Sequence, residues 1–174
     1  LSIIKSMCLH GLDGILIDVE FDISNGIPCW EIVGLPDASI KESKERVKTA
    51  IKNCGIEIAS RKYVINLSPA NLRKDGAILD LAIAVGILKS IGIITNNEPL
   101  ENTIFIGELS LNGDINRVNG ILSICIEAIN KNVKRIVLPK KNIKEAKLVK
   151  GIEVVGVSSL YEVISYLNGN LQLD

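Results

Sequence analysis

The chain has 174 residues, which suits one folded domain, and 47% of them are hydrophobic, so folding can bury a large core. Lysine plus arginine equal aspartate plus glutamate at 20 each, so no overall basic field indicates a polyanion partner, and a nucleic-acid contact requires a local basic patch. Four cysteines with no C-x-x-C pair and a single histidine argue against a disulfide framework and structural zinc, and they favour buried, reduced thiols.

The chain also lacks segments that would direct it to a membrane or out of the cell. No uninterrupted apolar run is long enough to span a bilayer, and no signal peptide precedes Gly11, so we expect a cytoplasmic protein with no membrane partner. The first residue is a leucine, and no linker divides the chain. We therefore expect one domain over residues 1–174 that is a fragment of a longer protein.

The amino-terminal part is predicted to form three strands. Ser2–Cys8 is the first, and Ile15–Phe21 alternates apolar with mostly polar side chains, as in a strand with one dry and one wet face. Asn25-Gly26 predicts a tight hairpin turn, after which Ile27–Val33 returns as the third strand. Pro28 cannot donate to a β-ladder, so we expect this strand near an edge of the sheet.

An amphipathic helix is predicted next, over Ser39–Asn53. Its polar face carries Lys41, Glu45, Lys48 and Lys52. Lys44, Arg46 and Lys48 form either a contact surface for DNA or a neighbouring subunit or, because acidic residues are interleaved, part of an ordinary solvated helix face. Trp30, the only tryptophan, is interpreted as a half-buried packing residue rather than a ligand platform.

The central stretch combines a strand, a charged loop and a core helix. Arg61–Leu67 has the alternation of a half-buried strand, and the helix over Ala77–Ile91 is almost wholly apolar. Between them, Arg73 and Lys74 stand beside a helix N-terminus, which together could hold a phosphate or a carboxylate. Asp75 could instead satisfy the same N–H groups and pair with either cation, so a structural role and a partner-binding role stay equal alternatives.

The carboxyl-terminal half alternates strands with helices. Asn112-Gly113 predicts a hairpin between strands at Ile104–Leu111 and Asp114–Val118. Asn119-Gly120 opens a second, nearly all-apolar helix. We expect core positions in that helix at Ile121, Leu122, Cys125, Ile126 and Ile129.

The last elements complete the pattern. They are a strand at Arg135–Leu138, a helix at Asn142–Val149, a strand at Ile152–Val157, and a helix introduced by a capping box of Ser159 and Glu162. Because hairpins come first and strand-helix alternation comes later, we predict an α+β protein with mixed-sheet α/β layers.

Four segments resemble one protein family. Ile32–Asp37, Lys41–Val47, Asn66–Ala70 and Arg73–Gly76 are similar to the amino-terminal domain of the magnesium-chelatase-like ComM/YifB family. The resemblance implies a Lon-like domain ahead of a hexameric AAA+ ATPase, with ATP and magnesium bound only in that downstream domain. It also implies subunit assembly, DNA engagement, or both, in DNA processing such as branch migration during transformation.

Two passages also resemble the peptidase domain of Lon-type proteases. Arg73–Gly76 and the apolar helix resemble the segment with the catalytic serine, and Ile106–Leu109 to Asn119–Leu122 resembles the segment with the catalytic lysine. Ile78 and Leu122 occupy the two catalytic positions. Since aliphatic groups neither attack a carbonyl nor carry a proton, the resemblance implies a Lon-protease-like, ribosomal protein S5 domain 2-like fold without hydrolysis.

Other chemistry has little support in the sequence. There is no G-x-x-x-x-G-K-[ST] loop and no G-x-S-x-G motif, which argues against a Walker A site and a serine-histidine triad. The alternative is an active Lon-type serine-lysine peptidase that uses displaced residues such as Ser68 and Lys74, although a turn serine capping Asn71 or Leu72 is the ordinary explanation. We therefore predict no catalytic, cofactor or metal residues. Possible DNA or partner contacts are predicted at Lys44, Arg46, Lys48, Arg73 and Lys74.

Overall fold

The computed structural model describes residues 2–70, 72, 74 and 77–173. The strands, in chain order, are β1 (Ser2–His10), β2 (Asp13–Ser24), β3 (Cys29–Val33), β4 (Lys62–Ser68), β5 (Thr103–Phe105), β6 (Glu108–Leu109), β7 (Ile115–Asn116), β8 (Arg135–Pro139) and β9 (Glu153–Val157). The helices are α1 (Asp37–Asn53), α2 (Asp80–Ser90), α3 (Ile121–Asn130), α4 (Ile143–Ala146) and α5 (Leu160–Leu167), with 3-10 turns at Ala77–Leu79, Glu98–Leu100 and Lys140–Asn142.

Seven strands form one mixed sheet in the order β3-β4-β2-β1-β5-β8-β9. β2 runs antiparallel to both of its neighbours, β1 and β4, and the other pairs are parallel. β3 and β4 are adjacent and parallel, so α1 is the crossover helix that joins them. The predicted mixed α/β class is confirmed.

The predicted hairpin at Asn25-Gly26 is wrong. A two-residue turn can join only antiparallel neighbours, but β4 lies between β2 and β3, and β3 pairs with β4 in parallel. The long β2 instead pairs with all seven residues of β4, which sets Phe21 opposite Ile65 on the buried face. The expected edge position of β3, based on Pro28, is confirmed.

The Asn112-Gly113 hairpin is confirmed, because β6 and β7 form a separate antiparallel ribbon around it. The single strand predicted over Ile104–Leu111 is interrupted, however. The Gly107 N–H donates to the Ile78 carbonyl, and the Gly107 carbonyl accepts from the Leu81 N–H, so this backbone joins the start of the central helix instead of a strand. A Cβ atom on Gly107 would lie 2.8 Å from the Ile115 side chain, so the glycine permits this close approach.

α2 is the core helix that its apolar sequence predicts, since every residue from Asp80 to Leu88 is buried. It lies on the sheet face that carries Phe21, and Gly86 meets the Phe21 ring so closely that an added Cβ atom would be 2.0 Å from it. α3 covers part of the opposite face, where a Cβ atom on Gly14 would be 2.6 Å from Glu127 Cβ. Helices therefore lie on both faces of the sheet, and the other side chains of the second face of β2 are half-exposed or exposed, as the alternation predicts.

The prediction that α3 is core throughout is wrong. Ile121, Ile124, Cys125 and Ala128 are buried, whereas Leu122 is 40% exposed and Ile126 is 51% exposed. Only one stripe of a helix can face the sheet, so the apolar residues on the other stripe stay at the surface.

The cysteine prediction holds for Cys8 and Cys125, which are buried, but Cys29 and Cys54 are only half-buried. The serine half of the capping box is present, since Ser159 Oγ accepts from the Glu162 N–H at 3.2 Å, while the Glu162 carboxylate accepts from the Ser158 N–H at 2.8 Å, one residue before the cap. Among the described residues, no helix has the length and apolar character needed to cross a bilayer.

Candidate functional site

A buried carboxylate, Asp80, joins three elements at the start of α2. Arg46 Nε donates to Asp80 Oδ2 at 2.6 Å, and Arg46 Nη2 donates to Oδ1 at 3.2 Å. Ser43 Oγ donates to Oδ1 at 2.9 Å, and the Leu109 N–H donates to Oδ2 at 3.2 Å. α1, α2 and β6 are thereby connected through one side chain, which we call the Asp80 cluster (Ser43, Arg46, Asp80 and Leu109).

The electrostatics of the Asp80 cluster are those of a structural ion pair. Burial raises the pKa of Asp80 to about 6, and the donors from Arg46, Leu109 and Ser43 oppose that rise, so the carboxyl group is ionised at neutral pH. The hydrogen bond to Asp80 raises the pKa of Arg46. Each Asp80 oxygen accepts two hydrogen bonds, so the cluster is saturated and offers no free acceptor for chemistry.

The five predicted contact residues do not form one surface. Arg46 turns toward Asp80, and its side chain is only 20% exposed. Lys44 is half-buried and Lys48 is exposed, on the same side of α1. Lys74 is 3% exposed. Arg73 lies outside the described residues, as does the predicted partner Asp75.

The amine of Lys74 is used inside the fold. Lys74 Nζ donates to the Leu72 carbonyl at 2.9 Å and to the Gly34 carbonyl at 3.4 Å. Burial lowers the pKa of Lys74. Because these two carbonyls accept from the amine, the side chain links the loop before α2 to the end of β3 rather than projecting into solvent.

Lys48 packs on the only tryptophan. Its Nζ lies 5.0 Å from the centroid of the Trp30 ring, within cation–π range, and burial followed by the nearby charge of Lys44 lowers the pKa of Lys48. Trp30 is 6% exposed and packs against Tyr63 with ring centroids 5.6 Å apart. The packing interpretation of Trp30 is confirmed, with more complete burial than predicted.

A groove of about 610 Å³ opens beside this aromatic pair. We call it the edge groove. It is bounded by the start of β3, the end of α1 and the segment 55–61, and it includes Trp30, Lys48, Lys52, Glu57, Arg61 and Tyr63. Two other hollows in the described part of the chain are smaller, at about 260 and 180 Å³.

The two positions that resemble the Lon dyad carry aliphatic side chains, not a nucleophile and a base. Ile78 is buried in the 3-10 turn before α2, and its carbonyl accepts from the Gly107 N–H. Leu122 is in the first turn of α3. Ser68 ends β4, and the contacts of Lys74 within the described residues are to carbonyl groups, so the two do not form a serine-lysine pair there.

Comparison with known proteins connects this fold to a family. The family profile described as subunit ChlI of Mg-chelatase matches residues 19–142. An uncharacterized protein of Mycobacterium tuberculosis is 39% identical over 97% of this chain and 33% of its own length. YifB of Escherichia coli is 37% identical over 100% of the chain and 34% of its own length. Competence protein ComM of Haemophilus influenzae is 33% identical over 99% of the chain and 34% of its own length.

The chain belongs to the magnesium-chelatase-like ComM/YifB family.

This ComM/YifB family member spans about a third of the length of the curated relatives that it matches. A more distant similarity reaches Lon protease 2 of Bacillus subtilis, which is 27% identical over 93% of this chain and 32% of its own length. The similarity to Lon therefore covers nearly the whole chain, at a lower identity than that within the ComM/YifB family.

Sequence reasoning missed the Asp80 cluster in this ComM/YifB family domain. Asp80 is the only charged residue between Ala77 and Leu88, and a carboxylate inside a fully apolar helix requires a buried partner. That signal points to a cation elsewhere in the chain. It does not say which one, because Arg46 is 34 residues away.

Proposed function

We propose that this chain is a non-catalytic, Lon-like accessory domain of a magnesium-chelatase-like AAA+ ATPase, serving subunit assembly, DNA engagement or both. The observation that supports it is the pair of aliphatic side chains, Ile78 and Leu122, at the positions that resemble the Lon dyad. Neither can supply a nucleophile or a base. ATP and magnesium would then bind in the region of the longer relatives that lies outside the segment matched by this chain.

The Lon-protease-like, ribosomal protein S5 domain 2-like fold is part of the proposal. The similarity to Lon protease 2 and the mixed sheet with its buried α2 support it. The name of the competence protein ComM supports a role in DNA processing such as branch migration during transformation, and hence a cytoplasmic location.

The assembly role is tested in the full-length protein. Deleting residues 1–174 from the complete reading frame should reduce the hexamer population in sedimentation velocity with a non-hydrolysable ATP analogue, or weaken DNA affinity at constant salt. The control is the intact protein carrying Lys134→Ala, an exposed residue remote in sequence from the predicted contacts. Unchanged assembly together with unchanged DNA affinity after the deletion would refute an accessory role.

DNA engagement is supported by a lysine stripe on α1. Lys41, Lys44, Lys48 and Lys52 follow one another at three- and four-residue spacing, which places them along one side of the helix. None of the four forms an ion pair within the described residues. A row of unpaired lysines can neutralise successive phosphates of a nucleic acid.

The DNA test uses the two lysines of this stripe outside the edge groove. Lys41→Glu combined with Lys44→Glu should weaken duplex DNA binding and lower the slope of log affinity against log salt by about 0.9 for each phosphate that a lysine no longer neutralises. Arg46 is left intact because it belongs to the Asp80 cluster. Unchanged affinity and an unchanged salt slope would exclude this stripe as the DNA contact.

A further inference from the structure

The open side of β3 presents unused backbone groups. β3 is the last strand of the sheet and pairs only with β4. The Cys29 N–H donates to the Arg61 carbonyl, and backbone groups alternate in direction along a strand, so those of Trp30 and Ile32 point away from β4. Within the described residues they take part in no backbone hydrogen bond outside the sheet. Such an edge can accept an additional strand.

The edge groove lies at the start of β3. Pro28, Cys29 and Trp30 line it, so a chain paired with β3 would reach the groove where that strand begins. Its volume of about 610 Å³ is within the range of about 300–1,000 Å³ found for ligand pockets. Ile27, beside Pro28, is 85% exposed and offers an apolar contact at the rim. Inward-pointing side chains of an added strand would therefore have space to enter.

The charges around the groove select an acidic occupant. Lys48, Lys52 and Arg61 line it, and none of them forms an ion pair within the described residues. Glu57 is the single carboxylate among the lining residues. The whole chain has a formal net charge of zero, so this excess of cations is local. Complementary negative charge on a partner would both steer and orient it.

The same geometry favours a peptide over a nucleic acid. Single-stranded nucleic acids bind largely by stacking bases on open aromatic faces. Here Lys48 occupies a face of Trp30, and the buried Tyr63 donates its hydroxyl group to the Ala59 carbonyl, so neither ring offers an open stacking surface. Only a polypeptide can form hydrogen bonds with the backbone groups of Trp30 and Ile32 in the way that a neighbouring strand does.

We propose that the edge groove and the open side of β3 bind an extended acidic peptide segment. The segment pairs with the backbone of Trp30 and Ile32 and places carboxylates beside Lys48, Lys52 and Arg61. This interaction goes beyond the accessory role proposed above and does not depend on DNA binding.

The test adds a short peptide that alternates glutamate with valine to the 174-residue chain. Trp30, the only tryptophan, reports binding by its fluorescence, and amide hydrogen exchange at Trp30 and Ile32 reports strand addition. Lys48→Glu combined with Lys52→Glu should weaken binding about tenfold or more, since two favourable contacts become repulsive. The matched control, Lys41→Glu with Lys44→Glu, makes the same charge change outside the groove and should retain most of the affinity.

Binding that slows exchange of the Trp30 and Ile32 amides, and that only the groove variant weakens about tenfold or more, is the expected result. The proposal is overturned by an absence of binding, by binding without protection of these amides, or by equal weakening in both lysine variants. Tighter groove binding by a thymidine oligonucleotide, or equal binding by a lysine-valine peptide, would also overturn it. The DNA test changes Lys41 and Lys44, whereas the peptide test changes Lys48 and Lys52, so each proposal can fail separately.

Discussion

The Asp80 cluster makes a sharp prediction about Arg46, one of the residues whose sequence position suggests a DNA contact. Arg46→Ala removes both guanidinium hydrogen bonds, at 2.6 and 3.2 Å, from a carboxylate that is completely buried. Ser43 and the Leu109 N–H remain as neutral donors. Removing one partner of a buried ion pair typically destabilises a protein by about 3–5 kcal/mol, because the other charge stays buried.

Urea unfolding measures this effect. With a slope of about 2 kcal/mol/M for a domain of this size, we expect the midpoint to fall by about 1.5–2.5 M. Lys44→Ala on the same helix is the matched control and should change the free energy of unfolding by about 0.5 kcal/mol or less. Adding Asp80→Asn to Arg46→Ala should cost less than the sum of the single changes, since no charge is then left unpaired. If Arg46→Ala unfolds at the same urea concentration as Lys44→Ala, the guanidinium group does not hold α1 to α2.

Three further predictions concern stability. Gly86→Ala should destabilise the fold by about 1–3 kcal/mol in thermal unfolding, because the new Cβ atom would lie 2.0 Å from the Phe21 ring. An unchanged unfolding temperature would mean that α2 does not pack on Phe21. Burial raises the pKa of Asp80 from 3.8 to about 6, so the folded state takes up its proton more readily than the unfolded chain. Protonation of Asp80 therefore stabilises the folded state by about 3 kcal/mol. This stabilisation is fully present below pH 3.8 and is lost as the pH rises through about 6. Asp80→Asn should remove this pH dependence of the free energy of unfolding, as measured by urea denaturation at about pH 4–7. An unchanged pH dependence would assign it to another group. Because Ser159 caps α5, Ser159→Ala should lower the free energy of unfolding in urea by about 0.5–2 kcal/mol, and Ser159→Gly should lower it by less. Equal losses in the two variants would argue against the cap.

Features that depend on local patterns could be predicted from the sequence. The alternation in β2 and the apolar run of α2 identify their buried faces, because burial of a strand or helix follows its own periodicity. The wrong hairpin at Asn25-Gly26 has a related cause. Its dipeptide suits a tight turn, but β2 takes all seven residues of β4 as antiparallel partners, and β3 pairs in parallel with the other side of β4.

Features that depend on distant residues could not be predicted. The local pattern offers Glu42 as a partner for Arg46, yet the contact between them is 4.0 Å, whereas the buried Asp80 approaches to 2.6 Å. A buried carboxylate attracts the guanidinium more strongly than an exposed one, because less water screens it. The edge groove likewise needs three separate segments of the chain, so no single stretch of sequence indicates it.

The proposed function depends on the absence of hydrolysis by this chain, and a proteolysis assay measures that property. The 174-residue chain is incubated with fluorescently labelled casein alongside Ser68→Ala and Lys74→Met variants that remain folded. We expect fluorescent peptides to be released no faster than in buffer, and we expect identical traces for all three proteins. Casein turnover by the unaltered chain that either substitution abolishes would contradict it, and would assign the domain to the active serine-lysine peptidases.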